Sequence, residues 1–362
     1  EVWVSNHVSD TVSVIDSNPE SPTHHQVIAT IQDVDAESRS TRFDEPVGIA
    51  FTGDGRKAYV ALSSVNRVAV IDVPSRRVVN RLKIRSQDPR ALAVAGNRLY
   101  VIPFESGNQT QVSGCLPEDI DGDLCTFNVN EQNVTGEGYD SDIIRHPNGP
   151  DRDLYVFDTE TDEPIETIST LGTLLYGVTA TAAGRVYIAM TEARNDVNGR
   201  AGTGTPKHGL MELENRAFLN QVGVVDCGDG DCIKSTFDLE PRPPQHPGPE
   251  HALATPFGIQ LSDDESTLVV TAAGSNRLFT VDSQSGRVLG RVSVGWIPRG
   301  LVLQSDHDGA PHKAWVYNAV SNSVSMVDFT SAEEMTVTGT LVLEDPTDVV
   351  VKLGRFMFNN AT

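Results

Sequence analysis

An all-β repeat fold is predicted, because the same pattern of short strands and turns recurs along the chain. The segment Glu45-Pro-Val-Gly-Ile-Ala returns as Asp88-Pro-Arg-Ala-Leu-Ala, Thr255-Pro-Phe-Gly-Ile-Gln and Ile297-Pro-Arg-Gly-Leu-Val. Each copy is followed by a tight-turn signal, a short aromatic-apolar run and a run shaped like Val-x-Val-Ile-Asp. A unit of about forty residues with four short strands has the period of a propeller blade. The sequence therefore predicts a β-propeller of four-stranded blades.

Six blades can be counted in chain order. Residues 2–31 supply three strands and lack an inner strand, whereas residues 46–84, 89–171, 175–239, 256–295 and 298–343 each supply a fuller set. Two closures stay open. If residues 347–351 supply the missing inner strand, six blades close by pairing the two chain ends. If a trimmed upstream strand fills that place, the intact protein has seven blades.

Two blades are interrupted between their second and third strands. The propeller is expected over residues 1–351, with insertions at about 103–152 and 191–221 and a tail at 352–362. Both insertions should rise from the face on which the inner strands begin. Structureless loops of this length in a compact domain are usually functional or disordered.

The four cysteines form two close pairs, Cys115 with Cys125 and Cys227 with Cys232. Short separations inside polar loops predict two local disulfides, with free thiols as the alternative. Disulfides indicate an oxidising compartment, which is the periplasm, the cell surface or the extracellular space.

The chain is strongly acidic, with a formal net charge of -22 over 362 residues. Nucleic-acid binding is not expected, because phosphate contacts need clustered cations. The charge favours cationic partners or divalent metals, while adaptation to salty surroundings is the alternative cause. No apolar run approaches the length of a membrane span.

Several runs resemble the YVTN-type β-propeller repeat, among them Ala58-Tyr-Val-Ala, Asn66-Arg-Val-Ala-Val-Ile-Asp72 and Asn322-Ser-Val-Ser-Met-Val-Asp328. The tail Leu353-Gly-Arg-Phe-Met-Phe-Asn-Asn-Ala361 is similar to the opening of a c-type di-haem peroxidase-like cytochrome domain. That second resemblance implies a missing C-terminal haem domain. Haem c would belong to that domain alone, because this chain has no Cys-x-x-Cys-His.

Side chains at equivalent repeat positions predict a ligand or partner site at the channel mouth. The residue after each repeat proline should open the inner strand there, and arginines and aromatic rings occupy that position. Turns between second and third strands add further cations to the same face. Together these could receive an anionic or planar ligand, whereas the alternative is that the arginines satisfy carbonyls and acids lining the channel. The predicted residues are Arg90, Arg299, Phe257, Tyr176, Arg67, Arg277 and His7.

A calcium site is predicted at Asp119, Asp121 and Asp123, inside the loop between Cys115 and Cys125. Alternating carboxylates around a glycine supply the hard oxygens that calcium takes from a flexible loop. A plainly solvated acidic loop is the alternative. No catalytic residues are predicted, since no zinc-hydrolase, serine-elbow or nucleotide motif occurs.

Two functions follow from these features. The first is a non-catalytic extracytoplasmic binding or scaffold propeller, whose partner is a protein or a fused haem redox domain. The second is an enzyme with its site at the channel mouth, either a lactonase-like hydrolase or a cofactor-binding redox propeller. The enzyme question stays open at this level, with the non-catalytic function favoured for this chain alone.

Overall fold

The computed structural model describes residues 1–106, 151–194, 216–227 and 232–359, together with strand residues 110–112, 134–135, 138–139 and 143–145. The described chain forms two compact units. The N-terminal unit contains described residues 1–106 and 151–170, and the other described residues form the C-terminal unit.

Almost all regular structure is β-strand. The strands up to the first insertion are β1 (Val2–Asn6), β2 (Thr11–Ile15), β3 (Val27–Ile31), β4 (Pro46–Phe51), β5 (Lys57–Leu62), β6 (Arg67–Asp72), β7 (Arg77–Lys83), β8 (Gln87–Ala95) and β9 (Arg98–Glu105). The next strands are β10 (Thr110–Val112), β11 (Val134–Thr135), β12 (Gly138–Tyr139), β13 (Ile143–Arg145), β14 (Leu154–Asp158), β15 (Pro164–Ile168), β16 (Leu174–Ala180), β17 (Arg185–Ala193), β18 (Phe218–Asp226) and β19 (Ile233–Asp238). The last elements are β20 (Pro256–Leu261), β21 (Thr267–Ala272), β22 (Arg277–Asp282), β23 (Val288–Ser293), β24 (Pro298–Ser305), β25 (Pro311–Asn318), β26 (Ser323–Phe329), β27 (Met335–Val342) and the helix α1 (Val349–Asn359).

The strands pair antiparallel in the order of the chain. In the N-terminal unit the blades are β1-β2-β3, β4-β5-β6-β7 and β8-β9-β14-β15. In the C-terminal unit they are β16-β17-β18-β19, β20-β21-β22-β23 and β24-β25-β26-β27. The short strands pair as β10 with β13 and β11 with β12. The predicted β-propeller of four-stranded blades is confirmed.

Residues 347–351, which one of the two open closures would use as an inner strand, do not form a strand in the structure. Residues from Val349 onward belong to α1. Asp348 accepts a hydrogen bond from the Val350 N–H at 2.8 Å, which is how an acidic residue caps a helix start. Asp348 also occupies the position where the clearest repeat copies have glycine, the second residue after the proline.

Second strands form the core of each unit, and their tyrosines tie neighbouring blades together. Tyr59 and Tyr187 are fully buried. The Tyr59 hydroxyl donates to Asp162 Oδ1 at 3.0 Å, in the turn that joins β14 to β15. The Tyr187 hydroxyl donates to the carbonyl of Ser283 at 3.1 Å, in the turn after β22. The Tyr-Val pattern therefore supplies both apolar burial and a bond to the next blade.

A second inter-blade contact involves the residue at or just before the start of four inner strands, β4, β8, β20 and β24. Its backbone N–H donates to an Asn or Asp side chain of the preceding blade, at distances of 2.9–3.0 Å. These bonds satisfy buried backbone donors at the sites where the chain passes between blades. The pairs are Glu45 with Asp10, Asp88 with Asn66, Thr255 with Asn220 and Ile297 with Asn276.

Candidate functional site

Three predicted site residues of the C-terminal unit lie side by side, and we call them the stacked row. The Tyr176 and Phe257 rings are 5.2 Å apart between centroids, with their planes tilted by 38°. The guanidinium carbon of Arg299 lies 5.1 Å from the centroid of the Phe257 ring. Such spacings give favourable ring–ring and cation–π contacts.

Close packing of inner strands produces this row. A Cβ on Gly177 would stand less than 3.0 Å from the carbonyl oxygen of Phe257, and one on Gly258 would stand 2.8 Å from that of Arg299. Only glycine lets the neighbouring backbone approach so closely. The residue directly before each glycine, Tyr176 or Phe257, is thereby brought beside its counterpart on the next inner strand.

A cavity of about 430 Å³ adjoins the row and shares Tyr176 with it. Its volume is in the range of small-molecule sites, which are about 300–1,000 Å³. Its wall is mixed, with two aromatic rings, several prolines and alanines, and a few polar groups. It is lined by Leu174, Tyr176, Thr191, Arg216, Ala217, Phe218, Asn220, Glu240, His246, Pro247, Pro249, Ala252, Ala254 and Thr255.

The charged groups of the cavity are an ion pair with little exposure. Arg216 and Glu240 are joined at 2.8 Å, and their side chains are 8% and 4% exposed. Glu240 also accepts hydrogen bonds from the Asn220 amide at 2.8 Å and from the Leu253 N–H at 2.7 Å. Both carboxylate oxygens are therefore engaged. A buried pair of this kind is maintained only when its hydrogen bonds are satisfied.

Two arginines hold the proline-rich segment that walls the cavity. Arg216 donates to the carbonyls of Pro241 and Gln245. Arg277, which was predicted to face a ligand, instead donates to the carbonyls of Pro249 and Ala252 at 2.8 and 2.9 Å. These bonds are of the kind that the alternative describes, and the role of Arg277 in ligand binding stays a prediction. These bonds fix a wall made of segments without regular structure.

Electrostatics distinguish the two ends of the site. Burial raises the pKa of Tyr176, so its hydroxyl is neutral and can donate or accept a hydrogen bond. That hydroxyl lies 3.5 Å from Thr191 Oγ1. Arg299 is exposed, and its charge acts on the Tyr176 pKa in the opposite direction to burial, by lowering it. The row thus ends at the Arg299 cation, and the Arg216 and Glu240 charges of the cavity form an ion pair.

The other predicted site residues belong to the N-terminal unit. Arg90 is exposed, pairs with Asp88 at 2.7 Å and lies 4.7 Å from the centroid of the Phe104 ring. Arg67 is the first residue of β6. His7 is exposed in a short 3-10 turn after β1.

Only part of the cysteine and metal predictions falls on described residues. Cys227 and Cys232 form a disulfide, as predicted. Cys115 and Cys125 lie outside the described residues, and so do the calcium candidates Asp119, Asp121 and Asp123.

Sequence reasoning missed Arg216, Asn220 and Glu240. Arg216 and Asn220 both lie within the predicted insertion 191–221. Asn220 belongs to β18, which begins at Phe218 and not at Val222 as predicted, and Arg216 lies two residues before that strand. Glu240 is the second residue after the end of β19. One signal was present: a long proline-rich segment exposes carbonyls without matching N–H donors, so charged residues at its borders are candidate partners.

Comparison with known proteins supports the fold alone. No family model matches the chain, and no curated protein matches it in sequence. A functionally unknown protein from Desulfotomaculum acetoxidans is similar in structure, with a TM-score of 0.57, 13% identity and coverage of 95% of this chain and 81% of that one. The RRP9 WD40 repeats give a TM-score of 0.55, 10% identity and coverage of 94% and 80%.

A third similar structure is the Cps50 (Swd1) β-propeller domain of Myceliophteria thermophila. Its TM-score is 0.50 at 11% identity, and the match covers 84% of this chain and 73% of that one. At such identities, function does not transfer with the fold. Among the described residues, no helix has the length and apolar character needed to cross a lipid bilayer.

Proposed function

We propose that this chain is a non-catalytic binding propeller that holds a planar, anionic ligand or partner group at the stacked row and its cavity. One observation carries the proposal: Tyr176 belongs both to the cavity and to the row that ends at Arg299. A ring can lie against Tyr176 and Phe257 while an attached carboxylate meets the guanidinium.

The state of the charged groups supports binding rather than catalysis. Glu240, the carboxylate of the cavity, uses both oxygens in bonds to Arg216, Asn220 and Leu253, so it is not available as a general base. A catalytic base needs to reach a substrate proton within hydrogen-bond distance. Breaking a buried pair to free it would cost several kcal/mol, about 3–5 kcal/mol in known cases.

Ligand-observed NMR and calorimetry with three probes test the proposal. Benzoate is planar and anionic, benzyl alcohol is planar and neutral, and cyclohexanecarboxylate is anionic and not planar. We expect benzoate to bind about tenfold more tightly than either of the others, which corresponds to about 1.4 kcal/mol. Arg299→Gln should remove the preference for benzoate over benzyl alcohol, and Tyr176→Ala should weaken all three.

Arg287→Gln is the matched control, because Arg287 is also exposed but lies in the turn before β23. Benzoate binding that survives both Arg299→Gln and Tyr176→Ala would contradict the site. Turnover of a lactone that is lost in Tyr176→Phe would instead favour the enzyme function.

The wider context of the chain is part of the same proposal. The Cys227–Cys232 disulfide supports a place outside the cytoplasm, in the periplasm or at the cell surface. Similarity of the tail to a di-haem cytochrome opening supports a haem redox domain as the fused or associated partner. The exposed side chains of Val350, Met357 and Phe358 on α1 fit a protein contact there. Haem absorption, measured on the protein expressed from the whole gene, tests the proposed haem redox domain. A product without haem absorption would contradict a fused haem domain.

A further inference from the structure

Among the residues that the structure describes, no carboxylate pairs with Arg291, a partly buried cation on β23. Its Nη1 atom instead lies 3.1 Å from Nδ1 of His251. Its Nε atom is buried and has no hydrogen-bond partner within the same described residues. The chain has 50 acidic residues against 28 lysines and arginines, so an arginine that meets a histidine in place of an acid is unexpected. A buried charged donor without an acceptor costs free energy that a bound anion would recover.

A second arginine lies on the same face of the sheet. Arg277 pairs with Ser293 in the strand ladder, and Arg291 pairs with Phe279, two residues further along β22. Alternate residues of a strand share a face, so the two arginines are diagonal neighbours. Burial, and then the charge of Arg277, lower the pKa of Arg291. The two guanidinium groups are therefore close enough for their like charges to repel.

His251 adds a third donor from the segment between β19 and β20. An arginine can only donate hydrogen bonds, so Nδ1 of His251 accepts from Arg291 and the ring proton is on Nε2. The acid beside this group is Glu250, whose carboxylate lies 3.7 Å from Nη2 of Arg277. Its side chain is 90% exposed. An exposed carboxylate at that distance neutralises an arginine only weakly.

We propose that Arg277, Arg291 and His251, which we call the oxyanion cluster, bind a phosphate group. The planar fork of an arginine matches two oxygens of such a group, and the Nε side of Arg291 is the side without a protein acceptor in the described structure. A tetrahedral group has further oxygens for donors on a second element, here His251, and its charge of about −2 matches two arginines. None of the three residues lines the cavity. The oxyanion cluster and the stacked row are thus two separate sites.

Calorimetry with inorganic phosphate at constant ionic strength tests the oxyanion cluster. We expect Arg291→Gln to weaken phosphate binding by about tenfold or more, because it removes the charge and the fork. Glu250→Gln should tighten binding by about two- to fivefold, because it removes a carboxylate that competes for Arg277. Arg287→Gln is the matched control, since Arg287 is exposed in the turn before β23, and it should bind phosphate as the wild type does.

Phenyl phosphate distinguishes the two sources of a phosphate group. Tighter binding of phenyl phosphate than of inorganic phosphate would assign the oxyanion cluster to phosphorylated compounds. Weaker binding of phenyl phosphate would assign it to the free ion. Either result requires that Arg291→Gln weakens binding of the probe.

The proposal fails if the wild-type chain binds no phosphate. It also fails if phosphate raises the melting temperature of the wild type and of Arg291→Gln equally, because a general salt effect would then be the cause. Loss of phosphate binding in Arg299→Gln would place the anion at the stacked row instead. Benzoate binding and phosphate binding should therefore be lost in different variants, Arg299→Gln and Arg291→Gln.

Glu250→Gln keeps the test decisive if Arg291→Gln does not fold. The Glu250 side chain is 90% exposed, so its replacement by glutamine should leave the fold intact. Phosphate binding that is unchanged or weaker in Glu250→Gln would contradict a phosphate group at Arg277.

Discussion

The carbonyl oxygen of Arg299 lies 2.8 Å from the place where a Cβ on Gly258 would stand. The same relationship, at less than 3.0 Å, links Gly177 to the Phe257 carbonyl and Gly48 to the Arg90 carbonyl. The repeat glycine is therefore a packing requirement between blades, and none of these three has a left-handed backbone conformation.

Alanine at the repeat glycine should destabilise the fold. For Gly48→Ala and Gly258→Ala we expect a loss of about 1–3 kcal/mol, because the added methyl group must displace a neighbouring backbone. Urea unfolding followed by circular dichroism measures the change. Gly53→Ala is the control, since nothing lies within 4 Å of a Cβ there. Equal effects at Gly53 and Gly48 would show that glycine flexibility, rather than packing, sets the cost.

The second prediction concerns the Asn and Asp side chains that accept hydrogen bonds between blades. Asn66 Oδ1 accepts a hydrogen bond from the Asp88 N–H at 3.0 Å. One blade earlier, Asp10 Oδ1 accepts the equivalent hydrogen bond from the Glu45 N–H. Asn66→Ala removes the acceptor and leaves alanine at a φ of 51°, so we expect a loss of about 1–3 kcal/mol. Asn66→Asp retains the acceptor and should recover most of that stability. A variant Asn66→Asp as unstable as Asn66→Ala would exclude the hydrogen bond as the cause.

The repeat made the fold predictable, because each blade gives an independent reading of the same pattern. It also made the proximity of Tyr176, Phe257 and Arg299 predictable, since equivalent positions on adjacent inner strands must lie side by side. Their role as a ligand site stays a prediction. The repeat could not predict contacts that occur only once in the chain.

The Arg216–Glu240 pair occurs once, because it joins the end of an insertion to the start of an inter-blade segment. No periodic pattern marks such a long-range contact. The helix α1 is a different case. Asp348 in a glycine position was visible in the sequence, but its meaning depends on the distance between inner strands, which only the structure provides.

Calcium binding by Asp119, Asp121 and Asp123 stays a prediction. If these carboxylates hold calcium, millimolar calcium should raise the melting temperature and a chelator should lower it again, because a ligand of the folded state adds stability. The control is a variant with all three aspartates changed to asparagine, measured with and without calcium. A wild-type melting curve that neither calcium nor chelator moves would leave the solvated acidic loop as the explanation.

Aspartates that end the third strands give the chain a defined acid sensitivity. The pKa of Asp72 is lowered by hydrogen bonds from Ser75, and that of Asp282 by hydrogen bonds from Ser285. In the first blade, Asp16 accepts bonds from the Ser21 and Thr23 hydroxyls and from the Asn18 N–H, which lower its pKa from 3.8 to about 2. Each carboxylate thus stabilises a turn only while it is ionised.

The sign of the pH dependence follows from that shift. Because the folded-state pKa of Asp16 lies below its unfolded value, its contribution is fully present above pH 3.8 and is lost as the pH falls towards about 2. We expect the urea midpoint to be level near pH 5 and to decline steadily below pH 4. Asp16→Asn, which cannot titrate, should start from a lower midpoint and decline less over the same range. A variant whose midpoint falls in parallel with the wild type down to pH 2 would show that other groups control acid unfolding.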